Sequence, residues 1–230
     1  MSGAGGERDE ARVRVDMHLH TRRSFDCLCP GEEVVRVAAQ RGIDRVCITD
    51  HNEIEAALEL RERVPGRVIV GEEVKTAEGV DIIGLWLTER IPKGTPAREA
   101  CERIRAQGGL VYVPHPYAGG KGGGDRILEE VEDLVDAIEG FNARIHLARL
   151  NALAVSWAAA RDLPLGAGSD AHSLREVGRA YVDVPPFEDR PAAFLEALRH
   201  GRITGRFSSW GVHLFSTWAK VRKRLPGGRP

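Results

Sequence analysis

The sequence has no long apolar run. No stretch reaches the eighteen or so apolar residues that a membrane-spanning helix needs. The first dozen residues, MSGAGGERDEAR, are small or charged and lack the apolar segment of a secretory signal. These absences predict a cytoplasmic protein with no membrane partner, and they predict that residues 1–12 form a flexible tail.

The chain also has few cysteines and almost no net charge. The 230 residues include 4 cysteines, which in the cytosol favours free thiols over disulfides. Cys27 and Cys29 form one C-x-C pair without the second pair of a zinc knuckle.

A formal net charge of −1 argues against a protein that coats nucleic acid in general. The final stretch, AKVRKRLPGGRP, is basic, which is typical of a solvated helix end and tail; contact with a polyanion is the alternative.

Two phosphate-binding loop motifs are missing as well. The first strand-like segment ends in HLHTRRS and not in G-x-G-x-x-G, which excludes a dinucleotide fold. GGKGGG at 119–124 lacks the Gly-Lys-Ser/Thr of a P-loop and predicts a mobile loop. No serine or cysteine nucleophile motif is found. Any chemistry therefore has to come from other side chains.

Short β-branched runs alternate with amphipathic helical stretches, and no internal repeat interrupts this order. The alternation predicts an α/β fold with a mostly parallel sheet, either open or closed into a barrel. The segments RVIVGEEV and GVDIIGLWL, joined by a short polar connection, predict a hairpin. The segment WGVHLFSTWAKVRKRL predicts a helix that packs Trp210, Leu214 and Trp218 on the body, or less favourably an interaction surface.

The first strand-like segment, VDMHLH at 15–20, carries two histidines one residue apart. Because alternate side chains of a strand share a face, His18 and His20 should project together with Asp16, and Met17 and Leu19 should point the other way. Two surface histidines on an edge strand would fit this pattern, and so would two arms of a metal site. The rest of the chain decides between them.

Nearly every predicted strand ends on a side chain that can bind a metal. These side chains are His18, His20, Asp26, Asp50, His51, Glu72, Glu73, His115, Glu139, Asn142, Asp170 and His172. In a barrel of parallel strands the C-terminal ends converge on one face, where active sites are built. The set exceeds the four ligands of one zinc ion and predicts two or three ions, with a carboxylate such as Glu73 bridging a pair. Imidazole with carboxylate suits Zn, Mn or Fe.

Five short motifs carry a family resemblance. They are D-x-H-x-H-T at 16–21, I-T-D-H-N at 48–52, G-E-E-V at 71–74, P-H-P at 114–116 and G-S-D-A-H at 168–172. Together, and in this order, they resemble the PHP family, the polymerase and histidinol phosphatase domains. H-x-H alone also begins amidohydrolases, so the ordered set is what makes the resemblance specific.

The resemblance implies a distorted, TIM-like (β/α)7 barrel of seven parallel strands, with a metal site at the C-terminal ends of the strands. The PHP domain would span residues 13–208. Residues 209–230 would form a C-terminal helix and basic tail that pack on the barrel or extend from it.

The resemblance also implies a ligand set for up to three metal ions. The first ion would be held by His18, His20, Glu73 and Asp170, the second by Glu73 and His115, and the third by Asp26, His51 and His172. The remaining ligand of the second ion is left open, with Asn142, His146 or another residue as candidates. Glu73 is preferred over Glu72 because the family pattern is G-x-E followed by Val or Ile.

Two further residues are predicted to act in catalysis. Asp50 would orient a ligand histidine from the outer shell, and it could at the same time cap the helix predicted near Asn52. Arg144 would bind a substrate phosphate through its guanidinium fork, or else lie on the surface at a helix start.

These residues predict a metal-dependent phosphoesterase in which a metal-activated hydroxide attacks phosphorus. The expected substrate is a small phosphorylated metabolite or a nucleotide, with a short oligonucleotide also open. The alternatives are an amidohydrolase-like enzyme that cleaves C–N or C–O bonds, and a catalytically silent PHP domain that binds or regulates. The oligomeric state is not predicted.

Overall fold

The computed structural model describes residues 12–118 and 124–225. The predicted tail up to residue 11, most of the GGKGGG loop and the last five residues lie outside the described residues. Arg12, the last residue of the predicted tail, is tied to the body, because its Nε lies 2.7 Å from Oδ1 of Asp183.

Strands and helices alternate along the described chain, as predicted. The strands are β1 (Val13–Leu19), β2 (Arg45–Ile48), β3 (Val68–Lys75), β4 (Asp81–Leu85), β5 (Leu110–Val113), β6 (Ala137–Asn142), β7 (Leu165–Gly168), β8 (Ala180–Val184) and β9 (Arg202–Gly205). The helices are α1 (Gly31–Gln40), α2 (Glu55–Arg63), α3 (Ala97–Ala106), α4 (Gly124–Val131), α5 (Ala148–Ala159), α6 (Pro191–Arg199) and α7 (Val212–Arg224). Within the described ranges, no helix is long and apolar enough to cross a membrane.

The strands form one sheet in the order β7-β6-β5-β4-β3-β2-β1-β8-β9. The runs β1-β2-β3 and β5-β6-β7 are parallel, while β4 is antiparallel to both of its neighbours and β8 to β1. The predicted hairpin of β3 and β4 is therefore confirmed. The implied set of seven parallel strands is not met, because the connection 76–80 is too short for a parallel crossover.

The part of the sheet from β1 to β7 closes on itself just beyond these two strands. Leu19 forms a parallel bridge with Ala171, and the backbone N–H of His20 donates to the carbonyl of Ala171 at 3.1 Å. The N–H of Asp170 donates to the carbonyl of His18 at 2.8 Å. These bonds nearly close the sheet into a barrel, which confirms the predicted α/β barrel fold.

Strand β1 departs from regular alternation before it reaches the histidines. Its register with β2 shifts between Asp16 and Leu19. Met17 packs in an apolar cluster with Ile69 and Tyr112, whereas Leu19 packs in the separate cluster that includes residues of the outer helices. The expectation that Met17 and Leu19 point the same way is therefore wrong, because the irregularity reverses the alternation between them.

Asp16 also departs from its predicted place beside the histidines. Its carboxylate accepts hydrogen bonds from the backbone N–H groups of Ser169 at 2.9 Å, Gly178 at 3.0 Å and His18 at 3.4 Å. Burial raises the pKa of Asp16 to about 7 even though these bonds oppose the shift. Asp16 thus ties β1 to the segments that follow β7 and precede β8.

Helix α7 forms where predicted but turns the opposite face to the body. Trp210, just before it, is 73% exposed, and Leu214 and Trp218 are 74% and 55% exposed. The buried face instead carries small side chains, Ser216 and Ala219. The expected packing of the large apolar residues on the body is therefore wrong.

Candidate metal centre

The eight predicted metal ligands come together at the C-terminal ends of the parallel strands. This set, called the metal-ligand cluster below, consists of His18, His20, Asp26, His51, Glu73, His115, Asp170 and His172. Strands β1, β2, β3, β5 and β7 or the segments that follow them supply all eight. The cluster is largely buried, so its charges interact without the screening that surface charges experience.

Glu73 lies at the middle of the cluster. Its Oε2 lies 2.9 Å from Nδ1 of His51 and 3.4 Å from Nε2 of both His18 and His20. Its Oε1 lies 3.2 Å from Nε2 of His115. Burial acts to raise the pKa of Glu73, but the charges of His51 and His18 outweigh it and hold the pKa well below its usual range. One carboxylate thus contacts four histidines.

The neighbouring carboxylate, Glu72, faces away from the cluster. Its Oε2 accepts a hydrogen bond from the backbone N–H of Ile91 at 2.8 Å, and burial raises its pKa to about 7. Adjacent side chains of a strand point to opposite faces. The structure therefore places Glu73, and not Glu72, among the histidines, as predicted.

Three groups in the cluster have candidate ligand atoms that all lie within 4.8 Å of one another. They are His18 with His20 and Asp170, His18 with Glu73 and His115, and His20 with His51 and His172. These groups follow the three ion sites implied by the sequence, except that His18 and His20 each belong to two groups.

Asp26 completes the third group. Its Oδ1 lies 3.2 Å from Nε2 of His172, and its Oδ2 lies 3.5 Å from Nε2 of His51. Burial acts to raise the pKa of Asp26, but the close contacts with His172 and His51 hold the pKa well below its usual range. Asp26 is therefore an anion that faces two imidazoles.

The buried atoms of the cluster fit divalent cations. Oδ1 of Asp26 and Oε2 of Glu73 are buried and face imidazole nitrogens at 3.2 and 2.9 Å, but neither contact has the geometry of a hydrogen bond. The Nε2 atoms of His18 and His20 face each other at 3.1 Å, an arrangement that a shared cation satisfies with both nitrogens unprotonated. Burial, together with the charges of His172 and His51, lowers the pKa of His20 to about 3. Neighbouring carboxylates outweigh burial at His18 and His51 and raise the pKa of both, so a bound cation has to displace their protons.

Glu139 is the carboxylate that sequence reasoning left without a role. Its Oε1 lies 3.1 Å from Nδ1 of His18, and its Oε2 accepts hydrogen bonds from the backbone N–H of His115 at 2.8 Å and from the Asn142 amide at 2.9 Å. A carboxylate on the outer nitrogen fixes the tautomer of a ligand histidine and raises its basicity. The available signal was an acidic residue in the middle of a buried strand, β6.

Neither candidate for the open ligand of the second ion directs a metal-binding oxygen or nitrogen into the cluster. The Asn142 amide nitrogen donates toward Oδ2 of Asp170 at 3.3 Å, and its oxygen accepts from the backbone N–H of Arg144. His146 lies outside the cluster, where its Nε2 is 2.7 Å from the carbonyl of Ser208. Both side chains are engaged elsewhere.

Asp50 acts on the histidines through a serine. Its carboxylate accepts from both the N–H and the hydroxyl of Thr21 and from the N–H and the hydroxyl of Ser24. The Ser24 hydroxyl lies 3.0 Å from Nδ1 of His20 and accepts from the backbone N–H of His51 at 3.0 Å. Asp50 is therefore connected to the ligand histidine His20 through Ser24 and does not contact it directly. Helix α2 begins at Glu55 without a side-chain cap, so Asp50 does not cap it.

Arg144 lies in the wall of the cluster and not on the surface. Its NH1 lies 2.6 Å from Nδ1 of His172, its NH2 donates to the hydroxyl of Ser216 at 3.0 Å, and its Nε lies 3.2 Å from Oε1 of Glu176. Glu176 also accepts from the backbone N–H of His172. The alternative of a surface arginine is therefore wrong.

Two cluster residues hold a left-handed backbone. His115 has φ 28° and Asp170 has φ 50°, values that are uncommon outside glycine. Each is pinned through its own N–H, His115 by Glu139 and Asp170 by the carbonyl of His18. Such strain persists only where the surrounding structure holds the residue in place.

Residues 16–141 match the family described as PHP domain, and residues 148–203 match the family described as PHP-associated. The chain belongs to the PHP family. The resemblance drawn from the five motifs is thus confirmed. Helix α7 lies beyond both matched ranges.

Proteins similar to this chain come from several organisms. An uncharacterized protein of Methanocaldococcus jannaschii is 34% identical over 198 residues, covering 81% of this chain and 79% of that protein. The phosphoribosyl 1,2-cyclic phosphate 1,2-diphosphodiesterase of Eggerthella lenta is 36% identical over 85 residues, 34% of this chain and 32% of that protein. A Bacteroides vulgatus two-domain protein containing a predicted PHP-like metal-dependent phosphoesterase shares the fold, with TM-score 0.64, 19% identity and coverage of 88% of this chain and 70% of that one.

Proposed function

We propose that this PHP protein is a metal-dependent phosphoesterase that hydrolyses an ester of a small phosphorylated metabolite, a nucleotide or a short oligonucleotide. The observation that carries the proposal is the position of Glu73, whose two oxygens face four histidines in a buried cluster. The eight residues of the cluster would hold two or three ions of Zn, Mn or Fe, which imidazole and carboxylate ligands suit. When bound, such ions supply an acidified water nucleophile and neutralise charge on phosphoryl oxygens.

The surrounding residues would fix where the protons of the cluster lie. Glu139 at Nδ1 of His18 and Ser24 at Nδ1 of His20 favour protonation of the outer nitrogens. The two Nε2 atoms are then free to act as ligands. Asp50 would act as a positioning residue, because it holds Ser24 in place.

Arg144 would contribute to phosphate binding beside His172. A guanidinium has five N–H donors, of which two meet His172 and Ser216, while Nε lies 3.2 Å from Glu176 without a hydrogen bond. The remaining donors are available to a phosphate oxygen. The diphosphodiesterase of Eggerthella lenta supports phosphorus esters as the substrate class, through the part of its sequence that this chain matches.

The experiment is phosphate release from a panel of phosphate mono- and diesters, including nucleotides and short oligonucleotides, with Mn or Zn supplied. The wild type is expected to release phosphate, and His115→Ala to lose at least about 100-fold in kcat/KM, because it removes a ligand and not only an outer hydrogen bond. The matched control is His200→Ala, since His200 is an exposed histidine at the end of α6. It should behave as the wild type.

No release from any ester by metal-loaded wild type would reject the phosphoesterase. Assays on amides and lactones would then distinguish C–N or C–O hydrolysis from a silent binding domain. If His115→Ala turned over at the rate of His200→Ala, His115 would have no place in the metal centre.

Arg144→Lys is expected to raise KM for a phosphate ester by about 10- to 100-fold, with a smaller change in kcat. A hydrogen bond to a charged group is worth about 1.5–3 kcal/mol, and lysine keeps the charge beside Glu176 but loses the fork. Arg144→Ala should raise KM similarly but also destabilise the fold, since it leaves Glu176 buried without its partner. Steady-state kinetics measures KM. An unchanged KM in both variants would reject phosphate binding by Arg144 and leave it the role of positioning His172.

A further inference from the structure

Helix α7, with the residues that adjoin its two ends, presents a row of large apolar side chains to solvent. Its opposite face contacts the body through small or polar residues, since Ser216 accepts a hydrogen bond from Arg144 and Nζ of Lys220 lies 3.6 Å from Oδ2 of Asp26. The outward face, called the α7 apolar face below, carries six side chains that are 47–74% exposed: Trp210, Leu214, Phe215, Trp218, Val221 and Leu225. Single apolar residues scattered on a surface need no explanation, but a continuous row along one helix marks an interaction surface.

The α7 apolar face is large enough for a stable interface. From their exposed fractions, the six side chains present about 600 Å² to solvent, since one aromatic side chain can cover about 150–250 Å². A typical stable interface buries about 800 Å² on each partner. Roughly 60% of that area, or about 500 Å², is apolar. The face therefore supplies the apolar area of one half of such an interface.

The spacing of the exposed residues favours another helix as the partner. Leu214, Trp218, Val221 and Leu225 follow one another at intervals of four, three and four residues. This is the spacing of the apolar positions along the contact line of two paired helices. Trp218 lies near the middle of the row, and Trp is the residue type most often found at the energetic centre of an interface.

One end of the face is already fixed in place. The Trp210 ring stacks on the imidazole of His146, with 4.2 Å between the ring centroids and 13° between the ring planes. His146 is itself held by the carbonyl of Ser208 at 2.7 Å from its Nε2. Trp210 nevertheless remains 73% exposed. A rigid aromatic side chain of this kind loses little conformational entropy when a partner covers it.

The rest of this chain has no apolar segment left to cover the face. The segments outside the described residues are 1–11, 119–123 and 226–230, and Met1 is their one large apolar side chain. An occupant with apolar side chains therefore has to come from a second molecule.

A lipid surface fits the helix less well than a second protein chain. A helix that lies on a membrane extends cationic side chains from its polar face to the lipid headgroups. In α7 the lysines of the polar face are engaged with the body, Lys220 with Asp26 and Lys223 with backbone carbonyl groups in the loop after β1. These lysines are thus not free to reach headgroups.

The charges of α7 favour an antiparallel arrangement of two such helices. Its last turn carries Arg222, Lys223 and Arg224, which would repel one another if two copies of the helix lay parallel. In an antiparallel pair, 13-residue helices keep these ends about 20 Å apart. The same arrangement brings Arg222 of one copy toward the aromatic Phe215 end of the other, a favourable cation–π approach. A twofold axis across the helix pair satisfies both copies with the same surface.

We propose that the α7 apolar face binds the same face of a second copy of this chain, which makes the protein a dimer with antiparallel α7 helices. The proposal goes beyond the proposed phosphoesterase function and does not depend on it. Helix α7 lies beyond both family-matched ranges, so this dimer belongs to this chain and not to the shared family fold. Because the other face of α7 contacts Arg144 and Asp26, the second copy also holds this helix against the wall of the metal-ligand cluster.

The first test is sedimentation equilibrium of the full chain at about 100 µM, since interfaces of this size have Kd values from µM to pM. The wild type is expected to show twice the 25.2 kDa mass of one chain. Val221→Glu should raise the dimer Kd at least about 100-fold, because it places a carboxylate among apolar side chains that the partner desolvates. Val155→Glu is the matched control, because Val155 is an exposed valine of α5 that undergoes the same change away from α7. It should remain a dimer.

Trp218→Ala is a second variant that adds no charge. It removes the central side chain of the row and should raise the dimer Kd by about 30-fold or more. Glutamate and alanine are both better helix formers than the residues they replace, so neither variant is expected to unfold α7 by itself. Far-UV circular dichroism checks that the helix content is unchanged.

The second test locates the interface by amide hydrogen exchange at the same protein concentration. Amides of residues 212–224 should exchange faster in Val221→Glu than in the wild type and Val155→Glu, because the monomer leaves α7 uncovered. A wild type with the mass of one chain would overturn the proposal, and its co-sedimentation with phosphatidylglycerol vesicles would then assign the face to a lipid surface. A dimer that persists in both α7 variants, with unchanged exchange in α7, would also overturn it. Neither test measures turnover, so the dimer and the phosphoesterase can fail independently.

Discussion

Replacing Glu73 by glutamine is expected to lower kcat/KM for phosphate esters by about 10³-fold or more. Loss of an outer hydrogen-bond partner typically costs 10- to 100-fold, and Glu73 is placed to contact the ions themselves. Glutamine keeps the shape but removes the negative charge, and it puts an amide N–H₂ group among the nitrogens of His18, His20 and His51. The measurement is steady-state kinetics with saturating Mn or Zn.

The adjacent residue provides the control. Glu72→Gln makes the same chemical change one position away, on a side chain that accepts from the N–H of Ile91 and faces away from the cluster. An amide oxygen can accept that same bond, and burial already favours the neutral form of Glu72. This variant should retain wild-type kinetics. Equal activity of the two variants would remove Glu73 from the reaction.

Gly168→Ala is expected to damage both the fold and the site. An added Cβ would lie 2.2 Å from Cβ of His18 and 2.6 Å from Oε1 of Glu139, so at least one of these partners must move. Overpacking costs about 1–3 kcal/mol, which for a chain of this size lowers Tm by roughly 2–12 °C. Displacement of His18 by about 1 Å is enough to lower the rate by about 100-fold. Thermal unfolding and kinetics on the same sample check both effects.

Gly211→Ala is the control for this steric argument. Gly211 precedes α7 with φ −66°, a helical value that alanine adopts, and the Ser209 hydroxyl, at 4.0 Å, would be the nearest atom to its added Cβ. Its Tm and activity should match the wild type within error. If Gly168→Ala did the same, the close approach of β7 to His18 would not constrain the site.

The sequence was sufficient for the parts of the site that follow short-range rules. His18 and His20 share a face because they are two residues apart in a strand, and Glu73 is selected over Glu72 by the same alternation. The order of the five motifs then predicted that ligand residues far apart in the sequence lie together at one end of a barrel. The hairpin of β3 and β4 was predictable because five residues cannot make a parallel crossover.

Other features depended on packing that a sequence pattern does not specify. Because of the irregularity in β1, the side chains of Met17 and Leu19 point to opposite faces of the strand and pack in different apolar clusters. No residue in VDMHLH predicts this irregularity. The role of Glu139 depends on where its carboxylate meets His18 across the barrel. Helix α7 has two faces that could pack on the body, one with large apolar side chains and one with small side chains. The face with small side chains is buried, and Lys220 and Lys223 make polar contacts with Asp26 and with the backbone of Ser24.

Elemental analysis of the purified protein, after metal loading and dialysis, measures whether the metal-ligand cluster binds divalent cations. We expect two or three equivalents of Zn, Mn or Fe in the wild type and in Glu72→Gln, and a loss of at least one equivalent in Glu73→Gln. A free metal concentration of about 1,000 times Kd should also raise the free energy of unfolding by about 4 kcal/mol. Metal-loaded wild type that retains no ion and unfolds at the same temperature as the metal-free protein would contradict the account.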